Sequence, residues 1–84
     1  MGKYSIKDIE MLTGIKAHTL RIWEKRYDIV SAERTDTNIR FYSDVQLKTL
    51  LNISLLNQNG IKISKIASLS QDEIRHKAME VGTS

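Results

Sequence analysis

Apolar positions recur at helical spacing in five stretches of the chain, and polar turn residues separate these stretches. In the first stretch, apolar residues three apart predict a helix that begins at Ser5. Asp8 completes a capping box with this serine, and Gly14 predicts the end of the helix. A second helix, expected over residues 16–27, follows closely. A short helix, a glycine-containing turn and a second helix indicate a helix-turn-helix, although a generic pair of antiparallel helices would show the same local pattern.

The second half of the chain predicts three more helices. Ser43 begins another capping box, before a helix that extends to about Asn59. The apolar residues of this helix form a stripe at Leu47, Leu50, Leu51 and Leu55, with Ile53 and Leu56 outside it. So wide an apolar surface indicates a central helix that packs on two neighbours. A short helix over residues 61–69 and a last helix, which Ser70 begins with a third capping box, complete the set.

The segment between the second and third helices lacks a helical period and is rich in turn residues. Short β-prone pieces at residues 29–30 and 39–42 predict a two-stranded hairpin. Asn38, near its tip, is the best candidate for a positive φ. Arg34 and Arg40 flank the tip, so the hairpin is expected to be a basic wing; the alternative is a plain connecting loop with solvated arginines. The predicted fold class is a mainly α winged helix-turn-helix.

The predicted second helix has two faces of different chemistry. Ala17, Leu20, Trp23 and Tyr27 lie on one face, which can anchor the helix to a core. The opposite face carries the candidate contact residues His18, Thr19, Arg21, Ile22, Lys25 and Arg26. Its polar side chains can reach phosphates or base edges. The alternative is a solvated amphipathic helix whose polar face has no function.

Two residues break the division between these faces. Ile22 lies among the cations, which suits a surface that meets something other than water. Glu24 lies on the apolar face, and a carboxylate at the margin of a core usually needs a cationic partner. We expect that partner to be an arginine of the wing, Arg40 or Arg34.

Composition limits the class of protein. Eighty-four residues suffice for one small domain. The absence of cysteine excludes disulfides and thiolate metal sites, and two distant histidines do not suggest a zinc site. The net charge is only +3, but residues 16–27 hold four Lys/Arg against one acid, so the basicity is focal. No constellation typical of an enzyme occurs, and no apolar run could span a membrane, so we expect a non-enzymatic, cytoplasmic protein.

Three segments together carry a family resemblance. They are Tyr4–Ile9, Thr19–Arg21 with Glu24, and Arg40–Ser43. In this order and spacing the chain resembles the DNA-binding domain of the MerR family of bacterial transcription regulators, over roughly residues 4–75. Trp23–Tyr27 resembles, within that family, regulators whose C-terminal part binds cobalamin, including light-responsive ones.

The resemblance implies sequence-specific binding of double-stranded DNA. The second helix would enter the major groove and the wing would hold the backbone or minor groove. The matched positions are Thr19, Arg21, Trp23, Arg40 and Tyr42. Family members bind promoters with inverted repeats as homodimers, and RNA polymerase is a possible partner. Ile22 replaces a frequent tyrosine, and Asn38–Ile39 replaces a glycine-rich or histidine-bearing wing tip. No cofactor is expected in this chain; cobalamin or another effector would bind a separate C-terminal domain.

Residues 1–70 are therefore expected to form the DNA-binding domain, and residues 71–84 to begin a connecting or dimerisation helix. The last helix offers only Ile74, Ala78 and Val81, too little for the ~800 Å² per partner of a specific interface. A monomer is thus expected for this chain and a homodimer for the full-length regulator, unless Ile53 and Leu56 form a dimer face.

Other functions and contacts remain open from the sequence. Ser5, Lys62 and Lys65 could contact phosphates, or the two lysines could simply be solvated. The main alternative function is a protein-interaction module that uses the same basic face. RNA binding is a weaker alternative, because no aromatic pair on an exposed strand is apparent.

Overall fold

The computed structural model describes residues 2–30 and 32–83. The elements in chain order are α1 (Ile6–Thr13), α2 (Ala17–Tyr27), β1 (Glu33–Arg34), β2 (Arg40–Phe41), α3 (Asp44–Gln58), α4 (Ile63–Ala67) and α5 (Gln71–Thr83). This arrangement confirms the predicted mainly α winged helix-turn-helix with a small two-stranded wing. None of the helices in the described ranges is both long and apolar enough to cross a bilayer.

Three helices begin with the capping boxes predicted from the sequence. The pairs are Ser5–Asp8, Ser43–Gln46 and Ser70–Glu73. In each pair the serine hydroxyl accepts the partner's backbone N–H, and the partner's side chain accepts the serine N–H, at 2.8–3.2 Å. These bonds satisfy backbone donors that the first turn leaves without an intrahelical acceptor, which places the helix starts.

A tight turn joins α1 to α2. Gly14 has φ +80°, and its N–H donates to the carbonyl of Glu10 at 2.9 Å, as a left-handed C-cap requires. Ile15 follows and is only 5% exposed, so it enters the core at the corner. The carboxylate of Glu10 accepts the N–H of Ala17 at 3.2 Å, so α1 caps the start of α2 across the turn.

α3 is the central helix and packs against α1, α4 and α5. Its most deeply buried residues are Leu50, Ile53 and Leu56, each 0% exposed. The predicted stripe was therefore wrong at its edges, because Leu51 is 41% exposed, whereas two residues placed outside the stripe are core. Burial on this helix follows from neighbours on several sides and not from one apolar face. α5 contributes to the same core through its residues at positions 74 and 78, both 5% exposed.

The wing is an antiparallel pair in which Arg34 lies opposite Arg40. Asn38 has φ +64°, which confirms the prediction for the tip. The placement of the first strand at residues 29–30 was wrong. Val30 is 8% exposed and belongs to the core, and pairing with β2 begins only at Glu33.

Candidate nucleic-acid interface

α2 is anchored on one side and presents its cations on the other. Leu20 is 1% exposed, and Trp23 packs half-buried against the core. The exposed residues of the opposite face are His18, Arg21, Ile22, Lys25 and Arg26, with Thr19 half-buried between them. Arg26 also lies over the ring of Tyr27, with its guanidinium carbon 5.8 Å from the ring centre. The helix can therefore present a basic face without losing its packing.

An open groove of about 460 Å³ separates α2 from the wing. Its lining residues are Arg21, Glu24, Lys25, Ala32, Arg34 and Arg40. The groove thus combines two cations of α2 with two of the wing around one carboxylate. Such a concave cationic surface attracts polyanions, because like charges in a cleft add their potentials.

Glu24 ties the wing to α2. One of its carboxylate oxygens accepts the hydroxyl of Tyr42 at 2.6 Å and lies 3.9 Å from a guanidinium nitrogen of Arg40. The other oxygen accepts the N–H of Ala32 at 3.2 Å. The Glu24 side chain is only 13% exposed, so these contacts are screened little by solvent. The predicted partner, Arg40, is present, although at 3.9 Å its contact is the longest of the three. The shorter contacts with Tyr42 and Ala32 were not predicted.

The prediction that Tyr42 is a DNA-binding residue needs correction. It is 0% exposed, and its hydroxyl is committed to Glu24. Burial, followed by the hydrogen bond to that carboxylate, raises the pKa of the phenol well above its usual value, so it remains a neutral donor. Tyr42 therefore positions the wing and does not touch a ligand in the groove.

The wing tip is stabilised by hydrogen bonds among its own backbone and side-chain groups. The N–H of Asn38 donates to the carbonyl of Thr35 at 2.8 Å, and the hydroxyl of Thr35 accepts the N–H of Ile39 at 3.1 Å. Arg34 is exposed and lies 3.4 Å from the side-chain oxygen of Asn38. The tip consequently presents Arg34 together with Ile39, which is 62% exposed.

The N-terminal segment before α1 supports the base of the wing. Tyr4 pairs with Tyr42 through two backbone hydrogen bonds of 2.8 and 2.9 Å. Asp44 accepts the hydroxyl of Tyr4 at 2.8 Å and the N–H of Gly2 at 2.9 Å. These two hydrogen bonds lower the pKa of the Asp44 carboxyl, and the bond from the Tyr4 hydroxyl contributes more than the bond from the Gly2 amide. A Cβ on Gly2 would meet the side chains of Asp44 and Tyr4, so a larger residue at this position would require them to shift.

The three candidate phosphate contacts lie elsewhere. Ser5 caps α1 with its hydroxyl, although it is exposed. Lys62 and Lys65 are exposed and line a concave surface together with Lys77 of α5. The sequence did not predict the position of Lys77, because only the tertiary fold brings this side chain of α5 beside the lysines of α4 and its N-cap.

In the described part of the chain, no group of three or more His, Cys, Asp or Glu side chains is placed to hold a metal ion.

A family model described as the MerR HTH family regulatory protein matches residues 4–73. The chain belongs to this family. The MerR resemblance deduced from the three sequence segments is thereby confirmed, while the narrower resemblance to cobalamin-binding members stays a prediction.

Curated relatives and a solved structure agree with the MerR assignment. The chain is 32% identical over 73 residues to the HTH-type transcriptional regulator MlrA of Escherichia coli, covering 87% of this chain and 30% of that protein. It is 32% identical over 66 residues to the HTH-type transcriptional repressor CarH of Myxococcus xanthus, covering 79% of this chain and 22% of CarH. The chain therefore spans less than a third of the length of these relatives.

The solved structure is that of HiNmlR, described as a MerR family regulator lacking the sensor domain, bound to promoter DNA. The match has a TM-score of 0.66 and 18% sequence identity, and it covers 98% of this chain and 75% of that one. At this identity the likeness concerns the fold.

The MerR-matched positions divide into two groups in this fold. Arg21 and Arg40 line the groove, whereas Trp23 and Tyr42 support it from within. Thr19, the fifth matched position, is half-buried on α2 and belongs to neither group.

Proposed function

We propose that this chain binds double-stranded DNA sequence-specifically, as the DNA-binding part of a MerR-like transcription regulator. α2 would lie in the major groove and the wing on the backbone or in the minor groove. The observation that carries the proposal is the groove between them. Four cations from α2, β1 and β2 face it, and the acid inside it, Glu24, is already engaged by Tyr42 and Ala32.

The names of the relatives support this proposal. MlrA is called a transcriptional regulator and CarH a transcriptional repressor, and the structure with the same fold was solved on promoter DNA. Each relative contains a segment matching most of this chain, so the shared part is the helix-turn-helix region.

The proposed contacts follow from exposure and position. Base edges would be contacted from α2 by His18, Thr19, Arg21, Ile22 and Lys25, with Arg26 at the margin. Trp23 would contribute at most its exposed edge, because it is half-buried against the core. Arg34 and Arg40 would bind the backbone or minor groove. Ser5, Lys62 and Lys65 would meet phosphates on either side, since all three are exposed.

The test is selection of binding sites from random duplex DNA, followed by affinity measurements over a series of salt concentrations. We expect a preferred sequence and a log–log salt slope of about −0.9 for each phosphate neutralised. Binding that is insensitive to salt, or equal for all sequences, would contradict the proposal. Salt-insensitive capture of a protein partner would instead support the interaction module.

The same proposal extends to the whole regulator, which would act in the cytoplasm and have no enzymatic activity. It would bind an inverted repeat in a promoter as a homodimer, with RNA polymerase as the further partner. Cobalamin or another effector would be bound outside the residues described. These assignments rest on the family and on the greater length of the relatives.

For this chain alone we propose a monomer. Ile53 and Leu56, the residues that could have formed a dimer face, are 0% exposed and used within the core. Ile74 and Ala78 of α5 are also buried there, which leaves little of its apolar stripe for a partner. Sedimentation equilibrium at micromolar concentration measures this directly, and a tight dimer would refute it.

A further inference from the structure

Ile22 is an apolar side chain on the basic face of α2. It is 38% exposed. Its neighbours three and four positions away on the helix surface are His18, Thr19, Lys25 and Arg26, and Arg21 precedes it; all of these are exposed except Thr19, which is half-buried. An isoleucine is thus surrounded by groups that prefer water or phosphate.

The hydrophobic core does not use this isoleucine. In residues 2–30 and 32–83, the core and the apolar side chains packed against it include Leu20 and Trp23 of α2, but not Ile22. The other exposed isoleucine of these residues, Ile39, lies at the wing tip. Ile22 is therefore available to a ligand that offers an apolar group between anionic or polar ones.

We propose that Ile22 is a specificity-determining residue that packs on the 5-methyl group of a thymine in the major groove. The inference rests on the proposed DNA binding and adds to it the identity of one contacted base. Hydrogen-bond donors and acceptors cover the major-groove edges of the bases, and the thymine methyl is the apolar exception. Arg21 and Lys25, bound to a guanine edge or a phosphate, would hold Ile22 against the bases between them.

The first test uses the unaltered 84-residue chain and the duplex obtained by site selection. Each thymine is replaced in turn by uracil, which removes only the 5-methyl group and keeps every hydrogen-bonding atom. We expect about a fourfold loss of affinity at one thymine of the half-site, the equivalent of one methyl group no longer buried. The remaining thymines should tolerate the exchange.

The second test assigns the effect to Ile22. Ile22→Ala should bind the thymine and uracil duplexes equally. Ile39→Ala, which truncates an exposed isoleucine on the wing, is the matched control and should keep the fourfold difference. Melting curves of both variants should resemble the wild type, because neither side chain belongs to the core cluster.

The outcomes of these tests distinguish failure of the inference about Ile22 from failure of the proposed DNA binding. If the wild type binds the selected duplex but no thymine is sensitive to uracil, the inference about Ile22 fails while the proposed function stands. If the sensitivity persists in Ile22→Ala, the methyl acts through DNA shape or another residue, and the inference also fails. If no duplex is bound at all, the proposed function fails first.

Discussion

The two halves of this domain are held together by different chemistry. Around α3 and α5, fully buried aliphatic side chains such as Leu50, Ile53 and Leu56 provide the packing. Between α2 and the wing, the carboxylate of Glu24 and the hydroxyl of Tyr42 provide the connection. Strands of two residues cannot bury much apolar surface, so a hydrogen-bonded network has to position the wing.

This difference explains how the groove can be open and cationic without costing the fold. The aliphatic half supplies most of the stability, because burial of apolar area is the dominant favourable contribution to folding. The polar half then needs only to hold Arg34 and Arg40 at a defined distance from α2. Substitutions in the first half should therefore change stability, and those in the second should change stability less and binding more.

The largest effect is expected in the aliphatic half. Ile53→Ala should lower the free energy of unfolding by ~2–5 kcal/mol, because it removes a fully buried side chain and leaves a cavity. Leu51→Ala, on the same helix but 41% exposed, is the matched control and should cost much less. Urea denaturation measures both. Equal losses would show that the two faces of α3 are packed alike, contrary to the structure.

A smaller loss of stability is expected when the hydrogen bond between Glu24 and Tyr42 is disrupted. Glu24→Gln should cost more than the ~0–1 kcal/mol of an exposed ion pair, because this carboxylate is largely buried. Tyr42→Phe removes the other half of the hydrogen bond, and for a bond to a charged group we expect ~1.5–3 kcal/mol.

The control for this prediction is the ion pair between Arg75 and Asp72, which has the shorter distance of 2.7 Å but is exposed. Arg75→Gln should leave the melting temperature almost unchanged. In the double variant at positions 24 and 42 the two losses should not add, because both substitutions weaken the same hydrogen bond. Full additivity would mean that the residues act independently.

Binding is expected to respond where stability does not. Arg21→Ala should lower affinity for the selected duplex by ~1–3 kcal/mol, because Arg21 lines the groove from the N-terminal half of α2. Lys48→Ala removes a cation from the surface between α3 and α5 and should have little effect. Fluorescence anisotropy at fixed salt compares the two. Unchanged binding by Arg21→Ala would show that α2 is not the DNA-contacting element.

The smallest effect concerns the base of the wing and its dependence on pH. The folded pKa of Asp44 lies below the usual 3.8, first because of the hydroxyl of Tyr4. A lowered folded pKa means that this carboxylate adds to stability above the unfolded value, and that the contribution is lost as pH falls through the folded pKa. In Tyr4→Phe, an NMR titration should show the pKa of Asp44 moving up towards 3.8. An identical titration in both proteins would exclude the hydroxyl as the cause.

Sequence-local patterns predicted much of the fold. The capping boxes, the left-handed residues Gly14 and Asn38, and the basic face of α2 were all recognisable, because each depends on residues within about four positions. The exposed candidates Arg21 and Arg34 followed from the same local periodicity and turn chemistry.

The predictions that failed depended on distant partners. Val30 was expected in a strand, but its side chain is taken up by the core. Tyr42 was expected at the DNA, but it meets Glu24, which lies 18 positions earlier. Only the tertiary structure decides such positions, because burial depends on which elements come together.

The sequence by itself therefore determined where the capped helices α1, α3 and α5 begin, which helix is basic and which family the chain resembles, since these depend on local spacing and on short motifs. It predicted α4 over residues 61–69, two residues too long at each end. The tertiary structure alone decided which side of α3 is core, that Glu24 meets Tyr42 and Ala32, and that Gly2 and Tyr4 reach Asp44. The physical reason is that hydrogen bonds and apolar contacts spanning 18 to 42 positions leave no periodic trace in the chain.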